Sequence, residues 1–417
     1  MLQYDVKNAF VHANIDANIY TILPIGVYNN PNKCCYLKKA LYGLKQSPRL
    51  WYKYLSSILA KFGFKVFIYD EGIYINPKDK CILICHVDDI LVIHKDLSYI
   101  YNIVAKISHY IKIEEIGIVS MFLGNSITIN YKTKMLYIDQ KGYIEKLLTK
   151  FSIYNNPSFM PTKIPGEPGL KLKKSNTTAS PNDIKEYQKQ IGSLLYLALK
   201  TRPDITFATI YCARYMSNPN KDHFIALNRI WKYLLAYPNI GLVYNCLGND
   251  LYIKGYSDSD WGNDLDLRKS TSGYIFSLSP SIGLNNPISW NSQLQKTIAL
   301  SSCEAEYMAL KEATKEAIYL ANMFNLLNIE LDLGYTNSIP TILVDSQSAK
   351  KLAENPEFHK RSKHIEIIYH FTRQAILEGK VVINQIPSKY MLADFLTKNV
   401  NNVLHKALID LAKLDTI

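Results

Sequence analysis

Short apolar runs alternate with helix-like apolar spacing over residues 1 to about 150. The opening residues predict a strand that ends at Asp5 and turns into a helix, and the apolar spacing within 47–64 predicts another helix. The stretch 81–94 holds two apolar runs that predict a pair of strands joined by a tight turn. A helix, two strands and a further helix are predicted at 97–111, 122–130, 134–140 and 141–151.

The pattern changes twice after residue 154. Residues 155–182 hold five prolines without periodicity, which predicts a linker. Residues 183–247 then predict a helical segment, and in 248–417 three strand-like stretches precede a long helix and further strand–helix alternation. The pattern predicts α/β and α+β architecture with a mixed sheet in the last part, and we expect 248–417 to fold alone.

The charge balance bears on the class of partner. The 417 residues hold 48 Lys and Arg against 36 Asp and Glu, a formal charge of +12, which favours a polyanion such as nucleic acid. A basic protein without such a partner explains the charge equally well. The seven cysteines include no CxxC pair, which predicts reduced thiols, and no apolar stretch approaches the roughly 18 residues of a membrane span.

Two adjacent carboxylates, Asp88 and Asp89, occupy the tip of the 81–94 hairpin. They repel each other, and a surface turn more often carries Asn-Gly or Asp-Gly. Mg²⁺ would compensate, because it binds one or two carboxylates together with substrate phosphates. If the first strand lies beside the hairpin, Asp5 joins Asp88, and two ions about 3.5–4 Å apart could clamp a phosphoryl transfer. A solvated turn explains the pair alone equally well.

Four motifs match a known family in order and spacing. They are DVKNAF at 5–10, LYGLKQSPRLWY at 41–52, HVDDI at 86–90 and FLG at 122–124. On these motifs the chain resembles the reverse transcriptase of copia-type LTR retrotransposons. The resemblance implies, in chain order, a truncated polymerase palm and partial thumb at 1–154, a linker at 155–182, a helical connection at 183–247 and a ribonuclease H-like mixed-sheet domain at 248–417.

The resemblance gives each motif residue a role. Asp5 and Asp88 would hold the catalytic metals, and Asp89 would support them. Phe10 would lie under the sugar of the incoming nucleotide and disfavour a 2′-hydroxyl, although a core phenylalanine is the plain alternative. Trp51 is expected in the core. The other predicted nucleotide- and template-binding residues are Gly43, Lys45, Gln46, Arg49 and His86, with solvated surface charges as the alternative for the basic ones.

Two departures from the family pattern bear on activity. His86 stands where the family carries a tyrosine before the aspartate pair. In the family the fingers lie upstream of the first aspartate motif and bring basic residues to the triphosphate. The chain begins at that motif, so we expect the fingers to be missing and polymerisation by this chain alone to be impaired.

A second set of acids lies in the C-terminal third of the chain. Any one of them alone is better explained as a helix-start or N-cap acid. Together they come from a strand, a long helix, a later strand end and the last helix, a layout that gathers carboxylates at one sheet edge for a second two-metal site. The candidates are Asp258, Asp260, Glu304, Glu306, Asp345 and Asp394.

These segments resemble the ribonuclease H domain of copia-type elements, on SDSDWGND, RKSTSGYIFSL, SSCEAEYMAL, VDSQSAKKLAENP, RSKHIEI and ADFLTK. Ser270–Ser272 form a hydroxyl cluster for the nucleic-acid backbone, or a plain β-turn. His364 would contact phosphate or assist product release, with a structural histidine as the alternative. The resemblance implies metal ligands at Asp258, Glu306, Asp345 and Asp394, with Asp260 and Glu304 as alternates.

The resemblance therefore implies the C-terminal part of a Pol polyprotein. It would extend a DNA primer on an RNA template with deoxynucleoside triphosphates, and would cut RNA in RNA–DNA hybrids. Each site would use two Mg²⁺ ions, for which Mn²⁺ can substitute. An intracellular location follows, in a cytoplasmic virus-like particle or the nucleus, with no membrane association. The alternative is an inactive relic that only binds nucleic acid, and the oligomeric state stays open.

Overall fold

The computed structural model describes residues 1–22, 26, 33–154, 156–157, 159–245, 252–279, 285–335, 339–354 and 366–416. The chain forms two compact units. The first consists of residues 1–122 and 325–334, and the second of residues 123–324 and 335–417. The division into four parts made from the sequence stays a prediction.

The first unit is built on an antiparallel sheet with strand order β4-β5-β6-β7-β1-β8. Helices α1 (Ser47–Ala60) and α2 (Leu97–Ile107) follow β3 and β7 in the chain. The predicted hairpin is confirmed as β6 and β7, with β1 hydrogen-bonded beside it. The strands of this part of the chain are β1 (Leu2–Val6), β2 (Tyr20–Ile22), β3 (Cys34–Tyr36), β4 (Lys65–Phe67), β5 (Asp70–Asn76), β6 (Cys81–His86), β7 (Asp89–Ile93), β8 (Ile113–Ile118) and β9 (Met121–Phe122).

Strand alternation decides which face of this sheet is buried. Leu2, Tyr4 and Val6 alternate along β1 and belong to the core that α1 and α2 cover. Because successive side chains of a strand point to opposite faces, Asp5 and its cross-strand partner Asp89 face away from this core. The apolar pattern thus places the two acids on the face of the sheet opposite the helices.

The second unit contains two sheets. In one, β18, β12, β11 and β10 pair antiparallel in that order. In the other, the order is β15-β14-β13-β16-β17, antiparallel up to β13 and parallel beyond it, which confirms the predicted mixed sheet. The strands are β10 (Asn125–Asn130), β11 (Met135–Asp139), β12 (Ile240–Asn245), β13 (Tyr252–Ser259), β14 (Thr271–Ser279), β15 (Pro287–Leu294), β16 (Thr341–Val344), β17 (Val382–Gln385) and β18 (Leu414–Thr416).

The helices predicted from periodicity are present. Four short 3₁₀ helices accompany them among the described residues, at Ala9–His12, Pro203–Ile205, Ser388–Tyr390 and Leu392–Leu396. The remaining α-helices are α3 (Lys141–Lys150), α4 (Pro181–Lys200), α5 (Thr206–Ala213), α6 (Lys221–Ala236), α7 (Ser302–Leu331), α8 (Gln347–Glu354), α9 (Glu366–Leu377) and α10 (Asn402–Leu411).

Both faces of the mixed sheet are buried. Phe276 and Ile342 pack with α7 on one face, while Tyr256 and Ile275 belong to the core formed by α4, α5 and α6 on the other. The Trp290 indole donates a 2.8 Å hydrogen bond to the Ala198 carbonyl in α4. The expectation that 248–417 folds alone therefore conflicts with the packing, because one sheet face is covered by the helices that precede it.

The predicted linker 155–182 is irregular where it is described up to Ser180, and its last two residues begin α4. The irregular part packs against the protein. Ile164 and Leu172 are both buried, and the Leu172 amide donates to the Tyr211 hydroxyl at 2.8 Å. The segment is therefore packed into the second unit at Ile164 and Leu172.

Two further predictions concern cysteines and membranes. The six cysteines in the described residues are free thiols, as predicted, and Cys246 lies outside those residues. Within the described part of the chain, no helix combines the length and the hydropathy needed to cross a membrane.

Candidate active sites

The first carboxylate site lies where β1 and the β6–β7 turn meet. Asp5 stands directly opposite Asp89 in the antiparallel register, and the Val6 amide donates a 2.8 Å hydrogen bond to the Asp88 carbonyl. Side chains opposite each other in such a pair have Cβ atoms about 4.5–5.5 Å apart. The strand end and the hairpin tip thus converge as the sequence analysis expected.

The turn that carries Asp88 is strained. Val87 has φ 60°, a left-handed conformation that costs a β-branched residue about 1–2 kcal/mol. The Trp51 indole donates a 2.7 Å hydrogen bond to the Val87 carbonyl, and the Cys85 thiol lies 3.7 Å from the same oxygen. Trp51 is buried, as predicted, and it also holds the turn in place.

Two residues that the sequence analysis did not single out contact these carboxylates. The Lys7 ammonium lies 3.0 Å from Asp5 and 2.9 Å from Glu114. The Tyr42 hydroxyl is hydrogen-bonded to the Asp88 side chain, and the pKa of Tyr42 is raised by burial and then by the Asp88 charge. Both residues lie inside quoted motifs, and only their partners across the sheet give them a role.

Two of the predicted nucleotide- and template-binding residues, Phe10 and Arg49, border a cavity beside the Val87 turn. The cavity has a volume of about 340 Å³, and Phe10, Arg49 and Val87 are among the residues that line it. Phe10 is buried, with its ring 4.4 Å from the ring of Tyr42. The Arg49 guanidinium pairs with Asp16 at 2.5 Å, which neutralises part of its charge.

The other predicted contacts differ in their surroundings. Gly43 has φ +95° in a turn closed by the Leu44 amide and the Leu41 carbonyl at 3.3 Å, a conformation that explains the glycine by itself. Lys45 is exposed, and Gln46 directly precedes α1. His86 is exposed opposite Asp89 in the β6–β7 register.

The second carboxylate site is tighter. Asp258 lies near the end of β13, Asp345 directly follows β16, and Glu306 lies in the second turn of α7. One carboxylate oxygen from each of these three residues lies within 4.8 Å of the others. Because β13 and β16 are parallel neighbours, their C-terminal ends meet at one sheet edge, and the backbone amide of Ser259 hydrogen-bonds to the Glu306 carboxylate.

Asp394 lies in the 3₁₀ helix Leu392–Leu396, not in the last helix as the sequence analysis placed it. The Lys398 ammonium lies 2.8 Å from its Oδ1. The Thr397 hydroxyl donates to the Asp258 carboxylate and lies 3.2 Å from the Asp394 carbonyl. Thr397 therefore connects the Asp394 segment to the three-carboxylate cluster.

Burial and mutual repulsion disfavour the charged forms of these acids. Burial raises the pKa of Asp258 to about 7, with contributions from Asp394 and Asp345, while Lys398 opposes the shift. Burial and the Asp258 and Asp345 charges hold the pKa of Glu306 well above its usual range. A cluster of carboxylate oxygens with this repulsion suits a hard divalent cation such as Mg²⁺.

Comparisons with known proteins place this geometry in a family. Residues 1–165 match the family described as reverse transcriptase (RNA-dependent DNA polymerase). The chain is 30% identical to a putative transposon Ty5-1 protein of Saccharomyces cerevisiae, over 75% of this chain and 99% of that protein. It is 34% identical to the Pol polyprotein from transposon TNT 1-94 of Nicotiana tabacum, over 95% of this chain and 30% of the relative. The chain belongs to the copia-type retrotransposon Pol family.

This Pol chain spans less than a third of the TNT 1-94 polyprotein, and 26% of the RE1 transposon polyprotein of Arabidopsis thaliana, to which it is 35% identical. A solved foamy viral protease-reverse transcriptase in complex with RNA/DNA hybrid resembles it with a TM-score of 0.50 at 14% identity, over 93% of this chain and 44% of that one. That likeness concerns the fold. The expected mixed α/β class, with a mixed sheet in the second unit, is confirmed.

The alternate acids of the Pol chain serve local structure. Asp260 lies beyond the end of β13, where its carboxylate accepts the Thr271 amide, and burial raises its pKa to about 6. Glu304 accepts the Leu300 amide at 2.8 Å, and the Ser301 hydroxyl accepts the Glu304 amide at 3.1 Å, as at a capped helix start. The three-carboxylate cluster thus contains Asp258 and Glu306, and not the alternates Asp260 and Glu304.

The hydroxyl cluster Ser270–Ser272 of the Pol chain is buried and lies at the start of β14. Ser270 accepts the Gly262 amide at 3.0 Å, Arg214 donates to Thr271 at 3.0 Å, and Gln295 donates to Ser272 at 2.9 Å. It is therefore neither a plain β-turn nor an exposed surface for a phosphate backbone. His364 lies outside the described residues.

Proposed function

We propose that the chain cuts the RNA strand of RNA–DNA hybrids at the Asp258 cluster and carries a site for RNA-directed DNA synthesis at Asp5 and Asp88. The observation that carries the first activity is the approach of three carboxylates from separate elements to within 4.8 Å. Such an arrangement repels itself and gains its stability from a cation. Asp258, Glu306, Asp345 and Asp394 would hold the Mg²⁺ ions, for which Mn²⁺ can substitute.

Bound Mg²⁺ would activate a water molecule and stabilise the leaving oxygen of the phosphodiester. The residues of the chain orient the ligands. Thr397 fixes the Asp258 carboxylate by a hydrogen bond, and the Ser259 amide fixes Glu306. Lys398 compensates the charge of Asp394. Each of these three acids is therefore held in place by a partner of its own.

At the polymerase site, Asp5 and Asp88 would hold Mg²⁺ with Asp89 in support. The facing positions of Asp5 and Asp89 and the cavity beside the turn support this assignment. Phe10 would lie under the sugar of the incoming deoxynucleoside triphosphate. Template and primer contacts are proposed for Gly43, Lys45, Gln46, Arg49 and His86.

The proposed partners are an RNA template, a DNA primer and their hybrid. The basic charge of the chain suits all three. An intracellular site of action, in a virus-like particle or the nucleus, belongs to the same proposal. The competing function is nucleic-acid binding without catalysis.

A labelled RNA–DNA hybrid tests the hydrolase. The full chain with Mg²⁺ should cut the RNA and leave the DNA intact. Asp345→Asn and Glu306→Gln should each lower the rate by at least about 10³-fold, since a neutral amide binds the cation far more weakly than a carboxylate does. Glu304→Gln, two residues away in the chain, should retain the activity. Binding of the hybrid without any cleavage by wild type would favour the non-catalytic function, and a reversed result for Glu304 and Glu306 would show the wrong glutamate was chosen.

A further inference from the structure

A large basic cavity lies in the first unit, away from the carboxylates. It has a volume of about 710 Å³ and is formed by the end of α1, the β5–β6 turn and α2. Strand β6 runs from this turn to the Asp88 turn, and its six residues span about 20 Å at about 3.3 Å per residue. The cavity, called here the lysine cavity, is therefore separate from the proposed polymerase site.

Four exposed lysines line the lysine cavity: Lys61, Lys65, Lys78 and Lys106. None of them forms an ion pair with a carboxylate in the described part of the chain. Neighbouring Lys80, by contrast, pairs with Asp332 at 2.8 Å. The Lys61 ammonium instead lies 4.3 Å from the centre of the Tyr110 ring. The cavity thus concentrates uncompensated positive charge.

Asp79 also lines the cavity, but within the described part of the chain it forms no ion pair with these lysines. Asp79 accepts hydrogen bonds from the Tyr99 hydroxyl at 2.9 Å and from the Asn76 amide at 3.0 Å. Asn76 is buried, and its amide also donates to the Phe62 carbonyl at 3.0 Å. The Asp79 carboxylate is therefore held by neutral hydrogen-bond donors, and the ammonium groups are left for a ligand.

We infer that the lysine cavity binds the phosphate groups of a nucleotide-sized ligand, either a free nucleotide or one segment of a nucleic-acid strand. Four ammonium groups attract phosphate oxygens and disfavour an apolar ligand. A single acid that is already hydrogen-bonded offers no site for a cation. Phe62 and Tyr99 add aromatic surface for a base, and the volume accommodates one nucleotide.

Protection of lysines from acetylation tests this inference on the full chain. The protein would be acetylated in EDTA, alone and with ADP or a ten-nucleotide single-stranded RNA, and analysed by mass spectrometry. EDTA weakens binding at the carboxylate sites, because these depend on metal ions. We expect protection of Lys61, Lys65, Lys78 and Lys106, while Lys95, which is exposed and does not line the cavity, reacts equally in all samples.

Charge removal gives the second measurement. Replacing all four lysines by glutamine should weaken binding of the protecting probe by about tenfold at low salt. For the RNA probe, the slope of log affinity against log salt concentration should become shallower by about 0.7 for each phosphate that the variant no longer neutralises. Lys95→Gln is the matched control. Because the four side chains are exposed, the variant should keep its melting temperature; if it does not, the pairs Lys61→Gln/Lys65→Gln and Lys78→Gln/Lys106→Gln replace it.

The two probes separate the sources of the phosphate. Protection by ADP identifies a free nucleotide, and protection by RNA alone identifies a nucleic-acid strand. Absence of protection with both probes, or unchanged binding in the lysine variants, overturns the inference. RNA cleavage in the hybrid is measured in parallel, and its presence or absence does not affect this result.

Discussion

Replacing Asp258 by asparagine should abolish RNA cleavage and, without divalent ions, make the protein more stable at pH 8. Burial raises the pKa of Asp258 from 3.8 to about 7. A change of one in the pKa corresponds to about 1.4 kcal/mol, so ionisation of this carboxyl disfavours the folded state by about 4 kcal/mol. The Thr397 hydroxyl can still donate to an amide oxygen, and its stronger hydrogen bond to the charged carboxylate is already included in this pKa. The net gain from the substitution at pH 8 is therefore about 4 kcal/mol.

The pH dependence follows from the direction in which the pKa moves. The folded-state pKa lies above the unfolded value, so the folded protein retains a proton between about pH 4 and pH 7. The contribution of Asp258 to the stability of wild type is therefore fully present below about pH 4 and is lost as the pH rises to about 7. The asparagine variant has no proton to lose there, so its advantage should be about 1.5 kcal/mol at pH 5 and about 4 kcal/mol at pH 8.

Denaturant unfolding in EDTA at pH 5 and pH 8 measures both effects, followed by cleavage assays with Mg²⁺. Glu304→Gln is the control, because its carboxylate caps the start of α7 outside the cluster. Mg²⁺ at about 100 times its Kd should stabilise wild type by about 2.7 kcal/mol and leave the variant unchanged. An Asp258→Asn protein less stable than wild type at pH 8, or equally stabilised at both pH values, would refute the reasoning.

Three further changes test other parts of the structure. Thr397→Val should lower hybrid cleavage by about tenfold or more and move the acid limb of the pH profile upward, because it removes a hydrogen bond that lowers the pKa of Asp258; Thr397→Ser should restore both. Trp51→Phe should destabilise the first unit by about 1–3 kcal/mol in denaturant unfolding, since the Val87 carbonyl loses its indole donor. The control Trp261→Phe, at an exposed position, should cost less. A fragment of 248–417 should be far less stable than 123–417 by circular dichroism, because at least four side chains (Tyr256, Ile275, Leu392 and Leu396) lose about 1.5–3 kcal/mol each; equal melting temperatures would contradict this.

The spacing of apolar residues was enough to predict hairpins formed by local contacts and helices with one apolar face. The helices α4, α6 and α7 and the hairpin β6–β7 carry regular apolar spacing, and all four are present. Strand β18 was not predicted, because its few residues form a strand only by pairing with β12, far earlier in the chain. Its apolar pattern is too short to indicate an element by itself.

The sequence also could not choose between acids two residues apart. Asp258 and Asp260 share the alternation of one strand face, so pattern alone leaves them equivalent. The end of β13 at Ser259 separates them and turns Asp260 toward the Thr271 amide. Similarly, Lys7, Tyr42 and Thr397 lie within recognisable motifs, but their roles depend on partners that only the folded chain brings near.

The two carboxylate sites compensate their charge in different ways, and this difference governs how each should respond to metal. At the first site, Asp5 is paired with the Lys7 ammonium and Asp88 with the Tyr42 hydroxyl. At the second, Asp258, Glu306 and Asp345 approach one another, and the ammonium of Lys398 contacts Asp394 instead. A cation at the first site must compete with partners supplied by the chain, whereas at the second it relieves repulsion that raises the pKa of Asp258 and Glu306. Metal binding at the second site should therefore contribute more to the stability of the folded chain, and the proposed RNA cleavage should require less Mg²⁺ than the proposed DNA synthesis.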